Sequence, residues 1–241
     1  MERERRTDRR AAYDRLRAER PHLFDNPPGA AYEILLDQSC QDAVADEAAR
    51  AVRERGIPTE HADIGIVYED PYILVVRDAV RFPAGNRGAY VRVVGARSGV
   101  GAAVLPVLSD GRLLLVHHFR HADRRWHWEI PRGFGEPGAD GAATARREAE
   151  EELGCTVQTL VYLGAVNRNS GMDADRDEVF LATIDVAVFD AALSDAAAEE
   201  GIDEVRAVEP GPFRSMMISG DITDAYTLSA YALAIARQLL P

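Results

Sequence analysis

Residues 133–155 constrain the fold more than any other stretch. They read Gly-Phe-Gly-Glu-Pro-Gly-Ala-Asp-Gly-Ala-Ala-Thr-Ala-Arg-Arg-Glu-Ala-Glu-Glu-Glu-Leu-Gly-Cys. A glycine-rich loop leads into a helix that Gly154 can end in a left-handed conformation. Glu148, Glu151 and Glu152 stand at i, i+3 and i+4, so they share one helical face. Like charges at that spacing repel by a few tenths of a kcal/mol, roughly. They also sit in the last two turns, where the helix dipole disfavours anions by about 0.3–1 kcal/mol each. Arg147 offsets Glu151 from four residues before it, and Arg146 does the same for Glu150. The remaining repulsion has two readings. One is a solvated acidic face. The other is a site for a hard divalent cation, which takes oxygen ligands and shares its other positions with water and phosphates.

The charge balance bears on that choice. The 241 residues carry a formal net charge of −12, and every basic residue is arginine apart from 6 histidines. Residues 1–20 carry eight Arg and five acids, so the remainder is strongly acidic. An acidic body disfavours a bare polyanion. An anionic ligand therefore needs a cation between itself and the carboxylates. No apolar run approaches the roughly 20 residues of a membrane span. The start, Met-Glu-Arg-Glu-Arg-Arg, lacks an apolar core, so no secretory signal is expected. Cys40 and Cys155 form no metal-type pair and read as reduced thiols, which suits a cytoplasmic protein.

Along the chain, residues 1–20 suit a solvated helix with apolar positions at Ala11, Ala12, Tyr13 and Leu16. Residues 21–38 read as loop, and a second helix is expected from Gln41 to Arg55. From residue 63 the pattern turns β-rich. Strands are expected at Tyr72–Val76, Tyr90–Val94, Trp128–Ile130, Thr156–Val166 and Val179–Val186. Ala102–Leu108 and Arg112–His118 flank Ser109-Asp110-Gly111, a hairpin signal. A helix is expected over Gly141–Leu153. Residues 187–204 read as an exposed connection. A last helix is expected over Ile222–Leu240, with Leu228, Tyr231, Ala232, Ile235 and Leu239 on one stripe. Recurring hairpins with fewer helices make the body α+β with mixed or antiparallel sheets.

The 133–155 segment resembles the Nudix box. That pattern runs from a glycine, through a glutamate, to Arg-Glu-aliphatic-any-Glu-Glu-any-Gly-aliphatic at fixed spacings. Gly133 matches the opening, and Arg147, Glu148, Ala149, Glu151, Glu152, Gly154 and Cys155 match the second half. The box's first glutamate falls on Ala139, with Asp140 or Glu136 as neighbouring substitutes. Phe119-Arg120, Trp128 to Gly133, the strands around Tyr72–Val94 and the ending Gly220 to Leu228 are similar to the ADP-ribose pyrophosphatase branch.

The resemblance implies an α/β/α sandwich with a mixed sheet over residues 99–241. Antiparallel strands at 63–98, expected to support dimerisation, and an N-terminal helical extension at 1–62 would precede it. It implies hydrolysis of a nucleoside diphosphate linked to another moiety, ADP-ribose or another ADP-sugar first, with Mg²⁺ or Mn²⁺. Glu148, Glu151 and Glu152 would hold metal, and Gly133, Arg147 and Gly154 would support the box. A backbone carbonyl near Arg132 would add a ligand. The general base is expected at Asp175, with Glu178 next. Arg120, Glu129, Arg132 and Tyr90 form the expected substrate-binding set. Arg120 either clamps the pyrophosphate or is a surface arginine beside acidic neighbours. Trp126, Trp128 and Tyr90 either stack a nucleobase or pack. His117, His118, His121 and His127 read as strand or loop residues. The branch also implies a homodimer. Ala139 and the extra arm keep a second reading open, a binding or sensor module with weakened catalysis. A third, with the basic arm anchoring RNA, is disfavoured by the acidic body.

Overall fold

The computed structural model describes residues 2–96, 99–187, 189 and 195–240. They fall into two compact units. The first holds residues up to Ala96 together with Asn169–Asp175, and the second holds the rest. Residues 1–62 and 63–96 thus share one unit, and the expected boundary at 98/99 touches residues outside the description.

In the first unit, helix α1 (Glu2–Glu19) is followed by a short 3-10 turn at Pro21–Phe24, strand β1 (Glu33–Ile34) and helix α2 (Gln38–Glu54). Strands β2 (Gly65–Glu69), β3 (Ile73–Arg81) and β4 (Arg87–Gly95) complete it. All pairings with β3 are antiparallel. Strand alternation sends Leu74 and Val76 of β3 into a core with Tyr13, Leu16 and Phe24, while Ala79 packs with Val44 and Ala45 of α2.

The first helix is solvated on one side and packed on the other, through Tyr13 and Leu16. Tyr13 is fully buried, and its hydroxyl donates to Asp78 at 2.6 Å. Asp63, also fully buried, accepts from Arg5, Arg6 and Arg9 at 2.7–3.0 Å. The α1 backbone crosses β2 so closely that a Cβ at Gly65 would meet the Arg9 carbonyl. The loop expected over 21–38 includes the 3-10 turn, β1 and the start of α2, which Asp37 caps through the Ser39 and Cys40 amides.

The second unit is a seven-stranded mixed sheet. Its strands are β5 (Ala102–Leu108), β6 (Leu113–Arg120), β7 (Arg125–Glu129), β8 (Arg132–Gly133), β9 (Thr159–Val166), β10 (Asp177–Ile184) and β11 (Ile202–Val208). The order is β11-β6-β5-β10-β9, with β7 on β6 and β8 on β5. Among the described residues of this sheet, the β10–β5 pairing is parallel and the others are antiparallel. Both faces are covered. Ala102, Val104, Phe180 and Ala182 face helix α3 (Gly141–Leu153) through Ala145, Ala149 and Leu153. Their alternates Ala103, Leu105, Val179 and Leu181 pack with Phe213 of α5 (Pro210–Ser219) and with Tyr226, Ala230 and Ala234 of α6 (Ala225–Ala236). A sheet buried on both faces explains why β5 shows no polar alternation.

Three expectations need correction. The 187–204 stretch is not wholly an exposed connection. A short helix, α4 (Asp195–Glu199), lies there and β11 begins at Ile202, with Ala197 and Ile202 buried, while residues 188 and 190–194 lie outside the described residues. The final helix is shorter than Ile222–Leu240 and is preceded by α5. Its buried face is Tyr226, Thr227, Ala230, Tyr231 and Ala234, so Ala232, Ile235 and Leu239 of the expected stripe are exposed. No helix among the described residues is long and apolar enough to cross a membrane.

Candidate active site

The glycine-rich loop and α3 place the site. Asp140 caps α3 by accepting from the Ala143 amide at 2.8 Å, and Gly154 ends it at φ +66°. Of the three glutamates, Glu148 and Glu152 are buried at 4% and 2% exposure, while Glu151 stays at the rim. Gly133 on β8 abuts the Glu148 carboxylate, where a Cβ would collide with it. Glu152 Oε1 accepts from the Arg132 amide at 3.3 Å, and its buried Oε2 has no hydrogen-bond partner among the described residues. Burial, then the neighbouring Glu148 charge, pushes the Glu152 carboxyl up to about 8. Burial also raises the Glu148 carboxyl.

Arg147 braces this arrangement. It donates to Glu151 at 2.6 Å, to Glu148 at 2.5 Å and to the Phe134 carbonyl at 2.9 Å. Asp140, next to Ala139, supports the loop–helix junction as the helix cap. Main-chain bonds also close the loop, from the Ala139 amide to the Glu136 carbonyl and from the Val100 amide to the Ala139 carbonyl.

Glu148 opens onto a cavity of about 300 Å³ lined by four arginines, Arg120, Arg132, Arg147 and Arg168. Glu200, Asp177 and Tyr226 complete its polar wall. Arg132 lies over the Tyr226 ring, 4.9 Å from the centroid, and the Tyr226 hydroxyl donates to Asp177. A dense cation wall facing buried carboxylates suits a phosphate ligand joined to the protein through a further cation.

The expected residues divide. Arg120 and Arg132 meet at this cavity. Glu129 lies behind it, 1% exposed, between their guanidiniums. Glu178 is on β10 with its carboxylate against Gly141 at the start of α3. Tyr90 and Asp175 belong to the first unit. There the Tyr90 hydroxyl donates to the Gly171 carbonyl at 2.6 Å, and Asp175 accepts from the Gly95 amide at 2.5 Å. The four histidines are in strands or a turn, as read from the sequence. His117 stacks between Trp126 and Trp128, with centroids 4.7 and 4.5 Å away. Sequence reasoning missed Asp177, Arg168, Glu200 and Tyr226. The first had a signal, since alternation on β10 turns Asp177 to the face opposite Glu178.

Glu148 and Glu152 fit a divalent cation. They are two buried neighbouring carboxyls, one with an oxygen that has no hydrogen-bond partner among the described residues, and a cation between them would relieve the burial that raises both. Among the described residues, no three His, Cys, Asp or Glu side chains already converge into a metal cage. The Glu151 carboxylate is turned onto Arg147.

Residues 97–218 match the model of the NUDIX domain. An ADP-ribose pyrophosphatase of Bacillus subtilis is 34% identical over 133 residues, covering 55% of this chain and 68% of that protein. A CMP-5'-(N-acetyl-N-hydroxy-3-aminopropyl)phosphonate hydrolase of Streptomyces rubellomurinus is 29% identical over 48% of this chain and 55% of its own length. An ADP-ribose pyrophosphatase of Mycobacterium tuberculosis is 33% identical over 44% of this chain and 51% of its own. The chain therefore spans only about half the length of two of these relatives. A solved structure described as an ADP compounds hydrolase shares the fold, with TM-score 0.58 and 18% identity over 72% of this chain and 89% of that one. With half of the chain matched by the domain model and the box residue Glu148 on an arginine-walled cavity, the chain belongs to the Nudix hydrolase family.

Proposed function

We propose that the chain hydrolyses the pyrophosphate bond of a nucleoside diphosphate linked to a second moiety, with ADP-ribose or another ADP-sugar as substrate and AMP plus a sugar phosphate as products. The observation that carries this reading is the cavity itself, where four guanidiniums face the buried Glu148 carboxylate. Glu148 and Glu152 would hold Mg²⁺ or Mn²⁺, with Glu151 joining when it leaves Arg147. A divalent cation there offsets phosphate charge and makes water a better nucleophile. Arg120 and Arg132 bind the diphosphate through their forked donors. Glu200, an exposed carboxylate on the same cavity, would take the proton from water. A homodimer follows from the same family, and sedimentation at twice the chain mass tests it.

The deciding measurement is AMP release from ADP-ribose with and without Mg²⁺. We expect metal-dependent turnover, and a fall of at least about 100-fold in Glu148→Gln and Glu152→Gln, the scale of losing an electrostatic contact made in the transition state. Full activity in both variants, or no turnover across a panel of nucleotide sugars, ends the proposal. Thermal stabilisation by ADP-ribose without product would favour the binding module that Ala139 keeps in view.

A further inference from the structure

We propose that Glu129 is a positioning residue: it touches no substrate and sets Arg120 and Arg132 side by side as one clamp for a diphosphate. The inference rests on the proposed function only in taking a diphosphate as the ligand. Strand pairing places Glu129 opposite Val116, at the inner end of β7, where it is 1% exposed. It does not line the cavity onto which Glu148 opens, and it borders the adjoining one together with Arg120 and Arg132. Its carboxylate reaches cations. Its Oε1 meets the Arg120 guanidinium, its Oε2 lies 3.5 Å from Arg132 Nη2, and His118 Nδ1 is 3.4 Å from Oε1.

Two guanidiniums that line the same cavity repel each other unless an anion lies between them. Arg132 has further anchors in Asp224, at 3.4 Å, and in the Tyr226 ring. The ion pair that holds the Arg120 guanidinium is the one to Glu129. His118 adds no competing charge. Burial and the two arginines push its imidazole down to about 4, so it stays neutral beside the carboxylate.

Charge alone and positioning predict opposite signs. Removing one negative charge next to a cationic cavity tightens anion binding if the arginines stay in place. Binding loosens if the carboxylate is what holds them. Calorimetry on the full chain in Mg²⁺, with methylenediphosphonate and with α,β-methylene-ADP, separates the two. We expect Glu129→Gln to raise Kd about tenfold for both ligands alike, equivalent to about 1.4 kcal/mol. Glu129→Asp, which keeps the charge, should recover part of that loss. In an Arg120→Ala background the Glu129→Gln loss should shrink, because the residue it positions is gone. Unchanged or tighter binding by Glu129→Gln overturns the inference. So does a loss confined to α,β-methylene-ADP, which would mean that Glu129 touches the nucleoside. Wild-type binding of methylenediphosphonate without turnover of any nucleotide sugar removes the proposed hydrolysis and leaves the clamp standing.

Discussion

Gly133 is where a single atom decides the site. Glycine is needed there because the Glu148 carboxylate occupies the space of a Cβ. The obstructing atoms are the end of a flexible side chain, so Gly133→Ala should displace the carboxylate rather than unfold the protein. We expect turnover and Mg²⁺ affinity to fall by about tenfold or more, since a misplacement on the order of 1 Å costs up to 100-fold in rate. The melting temperature should drop little. A variant with wild-type kinetics would show that Glu148 does not need its observed position. The same residue scale marks what the sequence reveals. The spacing of Glu148, Glu151 and Glu152 is readable, because helical periodicity fixes a shared face. Which of them is buried is not, because that depends on β8 and on Arg147. Glu129 is the sharper case. Its neighbours in sequence suggest a ligand contact, while its neighbours in space are two guanidiniums.

At the scale of elements, punctuation was legible and context was not. Asp140 and Gly154 bound α3 where cap chemistry says they should. The hairpin at Ser109–Gly111 closes through the Gly111 amide onto the Leu108 carbonyl, at 2.8 Å. By contrast, α6 is apolar on more than one side, so periodicity picks the wrong stripe. Strand β11 was hidden because Asp203, Glu204 and Arg206 point outward from a strand that buries Ile202, Val205 and Val208. Its residues sit in an acid-rich stretch that reads as a connection. The caps carry a prediction of their own. Gly154 is left-handed and follows directly on the box glutamates. Gly154→Ala should cost about 1–2 kcal/mol, the penalty for an L side chain in that region. Gly154→Asn should cost less, because Asn tolerates it. Denaturant midpoints of the two variants test this, and equal midpoints would mean that the helix end rearranges freely.

For the whole molecule the question is where the charge goes. The arginine-rich first twenty residues read from sequence as a cationic arm on an acidic chain of net charge −12. The structure spends those cations at home. Arg5, Arg6 and Arg9 converge on buried Asp63, Arg10 pairs with Asp42, and Arg20 donates to the carbonyls of Gly95 and Ala96. Sequence could not show this, since Asp63 lies more than fifty residues from its partners, just after the 3-10 turn over Thr59–Ala62. Two consequences follow. The intact chain should pass through heparin without retention at low salt, because an acidic body with an internally paired arm releases few counterions on binding a polyanion. Asp63→Asn should free α1 by leaving three guanidiniums facing a neutral amide. Cutting one partner from a buried ion pair costs about 3–5 kcal/mol, and the partial exposure of these arginines lowers that figure. Trypsin reports the result directly, since the helix is rich in arginine. Its bonds should be cut in Asp63→Asn well before they are cut in the wild type. Salt-sensitive retention of the wild-type chain, or equal cleavage of both, would restore the arm as a free cationic anchor.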